Sequence, residues 1–287
     1  MASLKEVKGR IASVNSTRKI TSAMKMVASA KLHKAQAAIE SMLPYERRLH
    51  HILTDFMSNC TEVTSPFIVK REVKKVAVVV FASNTSLCGG FNANVIRHLV
   101  DLLAEYKPLG LENILVFPVG KKVADGVRKL GFRIEGDFQH MADKPSYQEA
   151  ADLAADLMKR FLHGDVDKVE LLYNHFKSTA SQILTRETYL PIDLNNEKKE
   201  EERTIDYILE PSAEELMQEM LPKVLRMKMF TVLLDSNAAE HAARTMAMQI
   251  ATDNANELLQ ELTVMYNKSR QQSITNELLD IVGGSMA

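Results

Sequence analysis

The chain has 287 residues, and its 36 basic and 37 acidic side chains give a formal net charge of −1. This balance argues against a general nucleic-acid-binding protein, which carries a strong basic excess. Apolar residues make up 46% of the chain, enough to bury a core. Aromatic residues make up only 6%, Trp is absent and Met occurs 15 times, a composition that favours helix over sheet.

The cysteine count and the hydropathy pattern argue against a disulfide-rich protein, a zinc protein and a membrane-spanning protein. Cys60 and Cys88 are too few for a disulfide framework and lack the Cys–His spacing of a zinc site. We therefore expect a reducing compartment and neither metal nor other cofactor. The longest apolar run, residues 76–82, is far shorter than the ~20 residues that span a bilayer, and no signal peptide is recognisable. Any membrane association is expected to be peripheral.

The N-terminal region, residues 1–60, predicts one long helix. Gly is absent after Gly9, and Pro44 is its only proline. Apolar residues recur at helical spacing, which predicts a narrow seam on one face that changes phase after a polar interruption. The two phases of this seam are Leu4, Val7, Ile11 and Val14, and then Ile20, Met24 and Val27.

The C-terminal region, residues 212–287, mirrors the first. A short acidic helix is predicted to end at Pro222, because proline removes a helix hydrogen bond, and a longer helix to run from there to Val282. Gly283 and Gly284 predict its end. Its seam also has two phases, which are Leu258, Leu262 and Met265, and then Ile274, Leu278 and Ile281.

Two long helices with narrow apolar seams need a partner surface, and each is the nearest partner for the other. We therefore predict a long antiparallel coiled coil of the N- and C-terminal helices. A helix of roughly 55 residues reaches about 80 Å, longer than a compact domain of this size requires.

Between the helices, residues 72–191 predict an α/β domain. Buried apolar strands alternate with amphipathic helices, a pattern typical of a Rossmann-like, mostly parallel sheet. The last two strands are predicted to form a hairpin at one edge. Residues 192–211 are predicted to be a charged linker and foot segment.

Three features carry a functional interpretation beside a structural one. The loop 83–92, "SNTSLCGGFN", lies where α/β folds bind phosphates, yet it lacks both glycine-rich phosphate-binding motifs. Cys88 beside His98 is readable as a nucleophile or as a small buried thiol. Residues 1–40 carry eight basic and two acidic residues, an excess of +6 that is readable as an ordinary solvated helix face or as a side that suits an acidic protein surface.

The motifs at both ends and in the middle resemble those of one family, the gamma subunit of the bacterial-type F-type ATP synthase. The pattern I-T-x-E-x-x-[DE]-I-V-x-G stands at residues 274–284, and "SLCGGFN" resembles the central motif of the family. The segments that carry the resemblance are 10–36, 86–92, 206–211 and 242–284. The chloroplast type carries an additional cysteine pair, which this sequence lacks, so thiol switching is not expected.

The resemblance implies a peripheral subunit, non-catalytic itself, at the cytoplasmic face of the inner (plasma) membrane. It implies a central rotor stalk that transmits torque from a c-ring, driven by protons or sodium ions, to a hexamer of three alpha and three beta subunits. The catalytic residues lie on beta in this family. The other implied partner is the epsilon subunit, and nucleic acid is not a partner.

The resemblance also implies contact residues. On the C-terminal helix, beta is expected to contact Arg270, Gln271, Thr275 and Glu277. On the N-terminal helix, Met24 and Lys31 are expected to lie near beta, and Tyr207 and Glu210 near the c-ring foot. Two other classes remain open from the sequence, an α/β nucleotide-dependent enzyme with helical extensions and a static coiled-coil scaffold.

Overall fold

The computed structural model describes residues 4–59, 65–192 and 213–285. Two helices of 56 and 73 residues flank an α/β domain. The elements are α1 (Leu4–Asn59), β1 (Val76–Phe81), α2 (Phe91–Tyr106), β2 (Ile114–Val119), α3 (Lys121–Leu130), β3 (Arg133–Ile134), α4 (Gln139–Asp143), α5 (Tyr147–His163), β4 (Lys168–Ser178), β5 (Ser181–Leu190) and α6 (Ala213–Ser285).

The five strands form one mostly parallel sheet in the order β3-β2-β1-β4-β5. β1 runs parallel to both β2 and β4, with Val76 opposite Ile114 on one side and Lys168 on the other. β4 and β5 form the predicted antiparallel hairpin at one edge. Every residue of β1 and β2 is buried, which explains why these strands are continuous apolar runs in the sequence.

Helices cover both faces of the sheet. Alternate residues of β1, among them Val78, face α2 and α3, whereas Val79 and its alternates face α5 and α6. Phe161 of α5 and Met229 of α6 are fully buried in this second core. The α/β domain is therefore built directly on α6.

The helices α1 and α6 form the predicted antiparallel pair. Thr21 of α1 lies 2.9 Å from Thr252 of α6, hydroxyl to hydroxyl, and Arg18 donates to the side chain of Asn256 at 3.4 Å. Leu32 packs with Ala242 farther along. The residue numbers of the two hydrogen-bonded pairs sum to 273 and 274, so the register is constant along the pair.

The predicted change of phase in the helix seams is wrong. Ile20 and Val27 are both 59% exposed, whereas Thr21 and Ala28 are buried. On α6 only Leu262 of its first predicted seam is buried, and the second predicted seam is exposed. The contact stripe keeps one phase on α1, with every third or fourth residue buried or half-buried: Leu4, Val7, Ile11, Val14, Arg18, Thr21, Lys25, Ala28, Leu32 and Ala35. The small side chains of Thr21 and Ala28 continue the seam and let the helices approach closely there, whereas Ile20 and Val27 face outward.

The predicted break at Pro222 is also wrong. α6 is one helix that continues through Pro222, and it continues through Gly283 and Gly284 to Ser285. A proline inside a helix costs about 3 kcal/mol. Met217 and Leu221 before it, and Leu225 after it, are all buried in one core, and this burial outweighs the cost of the missing hydrogen bond.

Candidate functional site

The helix pair leaves the α/β domain near the loop that joins β1 to α2. Arg244 of α6 donates to the main-chain carbonyls of Ser86 and Thr85 in this loop. A Cβ placed on Gly89 would lie 3.7 Å from the Cβ of Ala247. From Thr252 onward α6 contacts α1, so the pair projects from the domain toward the C-terminus of α6.

From Thr252 onward, one stripe of α6 faces α1 and is buried or half-buried, and the rest of the helix surface is exposed. The inner stripe is buried or half-buried at spacings of three and four residues, at Thr252, Ala255, Leu259, Leu262, Tyr266, Ser269 and Ser273. The intervening residues are exposed, and several are large and apolar: Leu258 is 43%, Val264 68% and Met265 50% exposed. The outer side of α6 is therefore partly apolar along this stretch.

The end of α6 extends beyond the described start of α1. The register places Leu4 opposite residue 269 or 270, so residues 271–285 of α6 lie beyond the described start of α1, over about 22 Å. We call residues 270–285 the tip. Ile281 is 68% and Leu279 64% exposed there.

The predicted beta-contact residues of α6 lie at the start of the tip. Arg270, Gln271, Thr275 and Glu277 are all exposed. The Thr275 hydroxyl donates to the Gln271 carbonyl at 2.9 Å, within its own helix. Arg270 and the other three side chains are therefore exposed rather than used in packing the pair.

Met24 and Lys31 form a second, separate group on α1. Met24 is half-buried at the edge of the helix interface, and Lys31 is exposed. The register places Met24 opposite residue 249 or 250, about 30 Å along the axis from Arg270. The structure thus spreads the predicted contacts along the shaft and does not bring them into one site.

Tyr207 and Glu210, the residues predicted for the c-ring foot, lie outside the described residues, as does Cys60. The linker 192–211 is described only at Ile192, whose main-chain N–H donates to the Phe67 carbonyl.

The loop after β1 is organised by its own side chains. Asn92 accepts from the Ser83 main-chain N–H at 3.1 Å and donates to the Ser83 hydroxyl at 2.8 Å and to Cys88 at 3.2 Å. Cys88 is buried against Phe91 and Ala239. This is the packing expected of a small buried thiol.

The Glu240–Arg244 pair was missed by sequence reasoning. Both side chains are about nine-tenths buried, and their charged groups lie 2.7 Å apart. Burial raises the pKa of Glu240 above its usual range, although the hydrogen bond from Arg244 opposes this. An oppositely charged pair four residues apart in an alanine-rich helix was the signal available in the sequence.

The charge of the projecting pair is divided between its helices. The exposed side chains of α1 include Lys5, Lys8, Arg10, Lys19, Lys31 and Lys34. The part of α6 that faces residues 7–25 of α1, residues 249–266, carries three charged residues, all acidic: Asp253, Glu257 and Glu261. The two sides of the pair therefore present different surfaces to anything that surrounds it.

Neither a metal site nor a membrane span is found within the described ranges. In residues 4–59, 65–192 and 213–285, no group of three or more His, Cys, Asp or Glu side chains is placed to hold a metal ion. No helix in the same ranges combines the length and hydropathy needed to cross a bilayer.

A long antiparallel helix pair that projects from an α/β domain and carries exposed apolar and charged side chains gives the chain the form of a stalk. The family model for ATP synthase matches residues 3–287. Two curated proteins, both called ATP synthase gamma chain, are similar over the full length of both chains. The one from Phocaeicola vulgatus is 82% identical and the one from Bacteroides fragilis 64%. The chain belongs to the gamma-chain family of ATP synthases.

Solved structures share the fold. A chain of the Euglena gracilis mitochondrial ATP synthase, in a structure of OSCP, F1 and c-ring, has a TM-score of 0.66 at 20% identity over 99% of this chain and 93% of its own. A chain in the central stalk and c-ring structure of the Tetrahymena thermophila enzyme has a TM-score of 0.58 at 23% identity over 81% of this chain and 99% of its own. Both likenesses concern the fold.

Proposed function

We propose that this chain is the rotating central shaft of an F-type ATP synthase. The helix pair turns inside a ring of three alpha and three beta subunits and transmits torque between that ring and the membrane c-ring. Ion flow, of protons or sodium ions, drives ATP synthesis in one direction, and ATP hydrolysis drives pumping in the other. The catalytic groups belong to beta, and the surface that this chain presents to each beta subunit changes as the chain turns.

The observation that carries this proposal is the exposed surface of the tip. A static scaffold buries its apolar residues against a permanent partner, whereas a shaft needs side chains that meet successive subunits. Arg270 and Gln271 are exposed where α6 passes the described start of α1, and Ile281 and Leu279 continue the exposed surface. An enclosing ring removes these apolar side chains from water without bonding them permanently to one subunit.

The uneven charge of the pair supports the same function. Three equivalent subunits adopt different states only if the object at their centre is asymmetric. The basic side of α1, with Lys31 and Lys34, attracts an acidic surface, and the side of α6 with Glu257 and Glu261 repels it. Moving a site from 1:99 to 99:1 between two states needs about 5.5 kcal/mol of differential contact energy, which several such contacts supply together.

The opposite end of α6 is the proposed foot. Ala213 begins α6 at the end remote from the tip, and the segment with Tyr207 and Glu210 precedes it directly in the chain. We propose that this segment and the epsilon subunit dock on the c-ring, which holds the chain peripherally at the cytoplasmic face of the inner membrane.

Reconstituted enzyme in vesicles tests the proposal through the ratio of ions pumped to ATP hydrolysed. Met24→Lys and Arg270→Ala are expected to lower this ratio, because each alters one shaft contact and leaves the catalytic residues intact. The loss of a contact worth ~1.4 kcal/mol changes the equilibrium between two states of a beta site about tenfold.

Matched controls change the same residue types beside each site. Ala23→Lys places a cation on an exposed neighbour of Met24, and Lys268→Ala removes a cation about 200° around α6 from Arg270. Both controls are expected to keep the wild-type ratio. Pumping that follows hydrolysis unchanged in Met24→Lys and in Arg270→Ala would show that the assigned contacts are wrong.

Two further measurements separate the other classes. An α/β nucleotide-dependent enzyme binds Mg–ATP as an isolated chain, so calorimetric titration of the lone chain is expected to detect no tight site. A static scaffold remains fixed relative to the ring. A reversible cross-link between the tip and beta therefore leaves a scaffold's activity intact and stops a rotor until the link is reduced.

A further inference from the structure

His241 occupies an unusual position in the joint between α1, α4 and α6. Its side chain is 7% exposed, on the face of α6 that packs against α1. The register places it opposite Leu32, and Ala238 and Ala242 on either side are fully buried. A titratable ring therefore sits where the helix pair meets the α/β domain.

The ring has an unpaired nitrogen. Among the described residues, Nδ1 of His241 is a buried atom without a hydrogen-bond partner. A neutral imidazole tolerates this because Nδ1 can remain an acceptor. A protonated imidazole places a buried N–H donor, and a positive charge, at a point without an acceptor, and this is costly.

The charged groups that face the ring are mainly cationic. Lys31 reaches it from α1 and Arg244 from α6, and both disfavour a third positive charge. Asp143 at the end of α4 acts in the opposite sense. Glu240 lies beside them, but its carboxylate is engaged by Arg244 at 2.7 Å.

We propose that His241 makes this joint acid-labile, so that proton uptake by its ring favours an open form in which α1 separates locally from α6 and the loop after β1 loosens. In the open form Nδ1 reaches water and the ring moves away from Lys31. The device shares only Lys31 with the proposed torque contacts, and it acts on the attachment of the helix pair to the α/β domain. Acidification therefore destabilises the attachment of the helix pair to the α/β domain.

The pH window follows from the two forms. Burial, reinforced by Lys31 and Arg244, lowers the pKa of His241 from 6.5 to about 4. The closed joint therefore keeps a neutral ring while the open joint takes up a proton below pH 6.5. Above pH 6.5 the titration of His241 does not change the equilibrium constant for closing the joint. Below pH 6.5 it lowers this constant, by up to about tenfold per pH unit.

Protonation of Glu240 has the opposite effect on the joint to protonation of His241, so the two contributions have to be measured separately. Because burial raises the pKa of Glu240, the closed form holds that proton more tightly, and acid acting through Glu240 favours closure. The contribution of His241 is therefore the difference between the wild type and a variant that keeps Glu240 but cannot protonate at position 241.

Hydrogen exchange of the full chain, followed by mass spectrometry between pH 8 and pH 5 and corrected for intrinsic rates, tests the proposal. Peptides from residues 28–39 and 236–247 report the joint, and peptides from β1 and β2 serve as internal reference. The joint in the wild type is expected to open increasingly below pH 6.5, while the sheet does not. His241→Gln is expected to abolish the difference, and His33→Gln, an exposed histidine on α1, is expected to keep it.

Lys31→Gln provides a second variant that leaves the buried ring untouched. Removing this cation raises the pKa of the closed form toward 6.5, so the pH dependence of the joint is expected to shrink, and Lys34→Gln is expected not to change it. The proposal is overturned if His241→Gln opens with the wild-type pH dependence. If His241→Gln does not fold, an unchanged pH dependence in Lys31→Gln overturns it instead.

Discussion

The hydroxyl groups of Thr21 and Thr252 lie 2.9 Å apart in the middle of the seam between α1 and α6. Each hydroxyl is also within reach of a carbonyl of its own helix, that of Arg18 at 3.1 Å and that of Met248 at 2.7 Å. A polar contact between two small residues thus occupies a position that a coiled coil usually fills with leucine. The spacing of the two helices is set for small side chains at this level.

Thr21→Leu is expected to destabilise the isolated chain more than Thr21→Val. Leucine overpacks a seam built for small residues, at a cost of about 1–3 kcal/mol. Valine keeps the volume and leaves Thr252 its bond to the Met248 carbonyl, so its cost is about 1 kcal/mol. Urea unfolding followed by circular dichroism measures both, and a valine variant less stable than the leucine variant would contradict the packing argument.

Polar substitution of the outward apolar residues is expected to separate stability from assembly. Ile20→Ser and Val27→Ser together change the unfolding midpoint of the lone chain little, because exposed substitutions stay within about 0.5 kcal/mol each. The same variant is expected to assemble more weakly with alpha and beta subunits, measured by co-purification. Ala28→Leu should show the reverse pattern, a less stable lone chain, because Ala28 is buried in the seam.

Arg244→Met is expected to destabilise the chain by about 3 kcal/mol at pH 8, because it leaves the carboxylate of Glu240 buried without its partner. Burial already raises the pKa of Glu240, so the loss should be smaller at pH 5 than at pH 8, because this carboxyl takes up a proton more readily as the pH falls. Adding Glu240→Gln to Arg244→Met should restore stability at pH 8. Equal losses at both pH values, measured by thermal unfolding, would mean that Glu240 is not the group left unpaired.

Glu170 is expected to make the β4–β5 edge sensitive to strong acid. Burial alone would raise its pKa, but hydrogen bonds from Arg186, Lys168 and Tyr106 outweigh burial and lower it below 4.5. Its contribution is therefore complete above pH 4.5 and lost as the pH falls through the lowered value. Glu170→Gln should cost about 2 kcal/mol at pH 7, and its stability should converge with that of the wild type at low pH. Parallel acid unfolding curves would contradict this.

The architecture was predictable because each element has a strong local signal. Runs such as residues 76–82 specify buried strands, and the length of the two terminal helices specifies their pairing. The predicted hairpin at the sheet edge was confirmed by β4 and β5.

The seam was predicted wrongly because the prediction followed the large apolar side chains, whereas small side chains make part of the helix contact. Ile20 and Val27 suggested a change of phase, but Thr21 and Ala28 hold the contact. The break at Pro222 was wrong because local propensity ignores the core that forms on both sides of the proline. The assigned contact residues remain predictions, since their partners are other chains and a single sequence carries no direct record of them.

Observation of single molecules tests the rotor claim most directly. A probe attached through Lys129→Cys on the exposed face of α3, in a Cys60→Ala background, reports the α/β domain of an assembled enzyme fixed to a surface through beta. With Mg–ATP the account predicts rotation in one direction, in steps of about 120° that reflect the three beta sites. Steady ATP hydrolysis while the probe stays at one angle would contradict it.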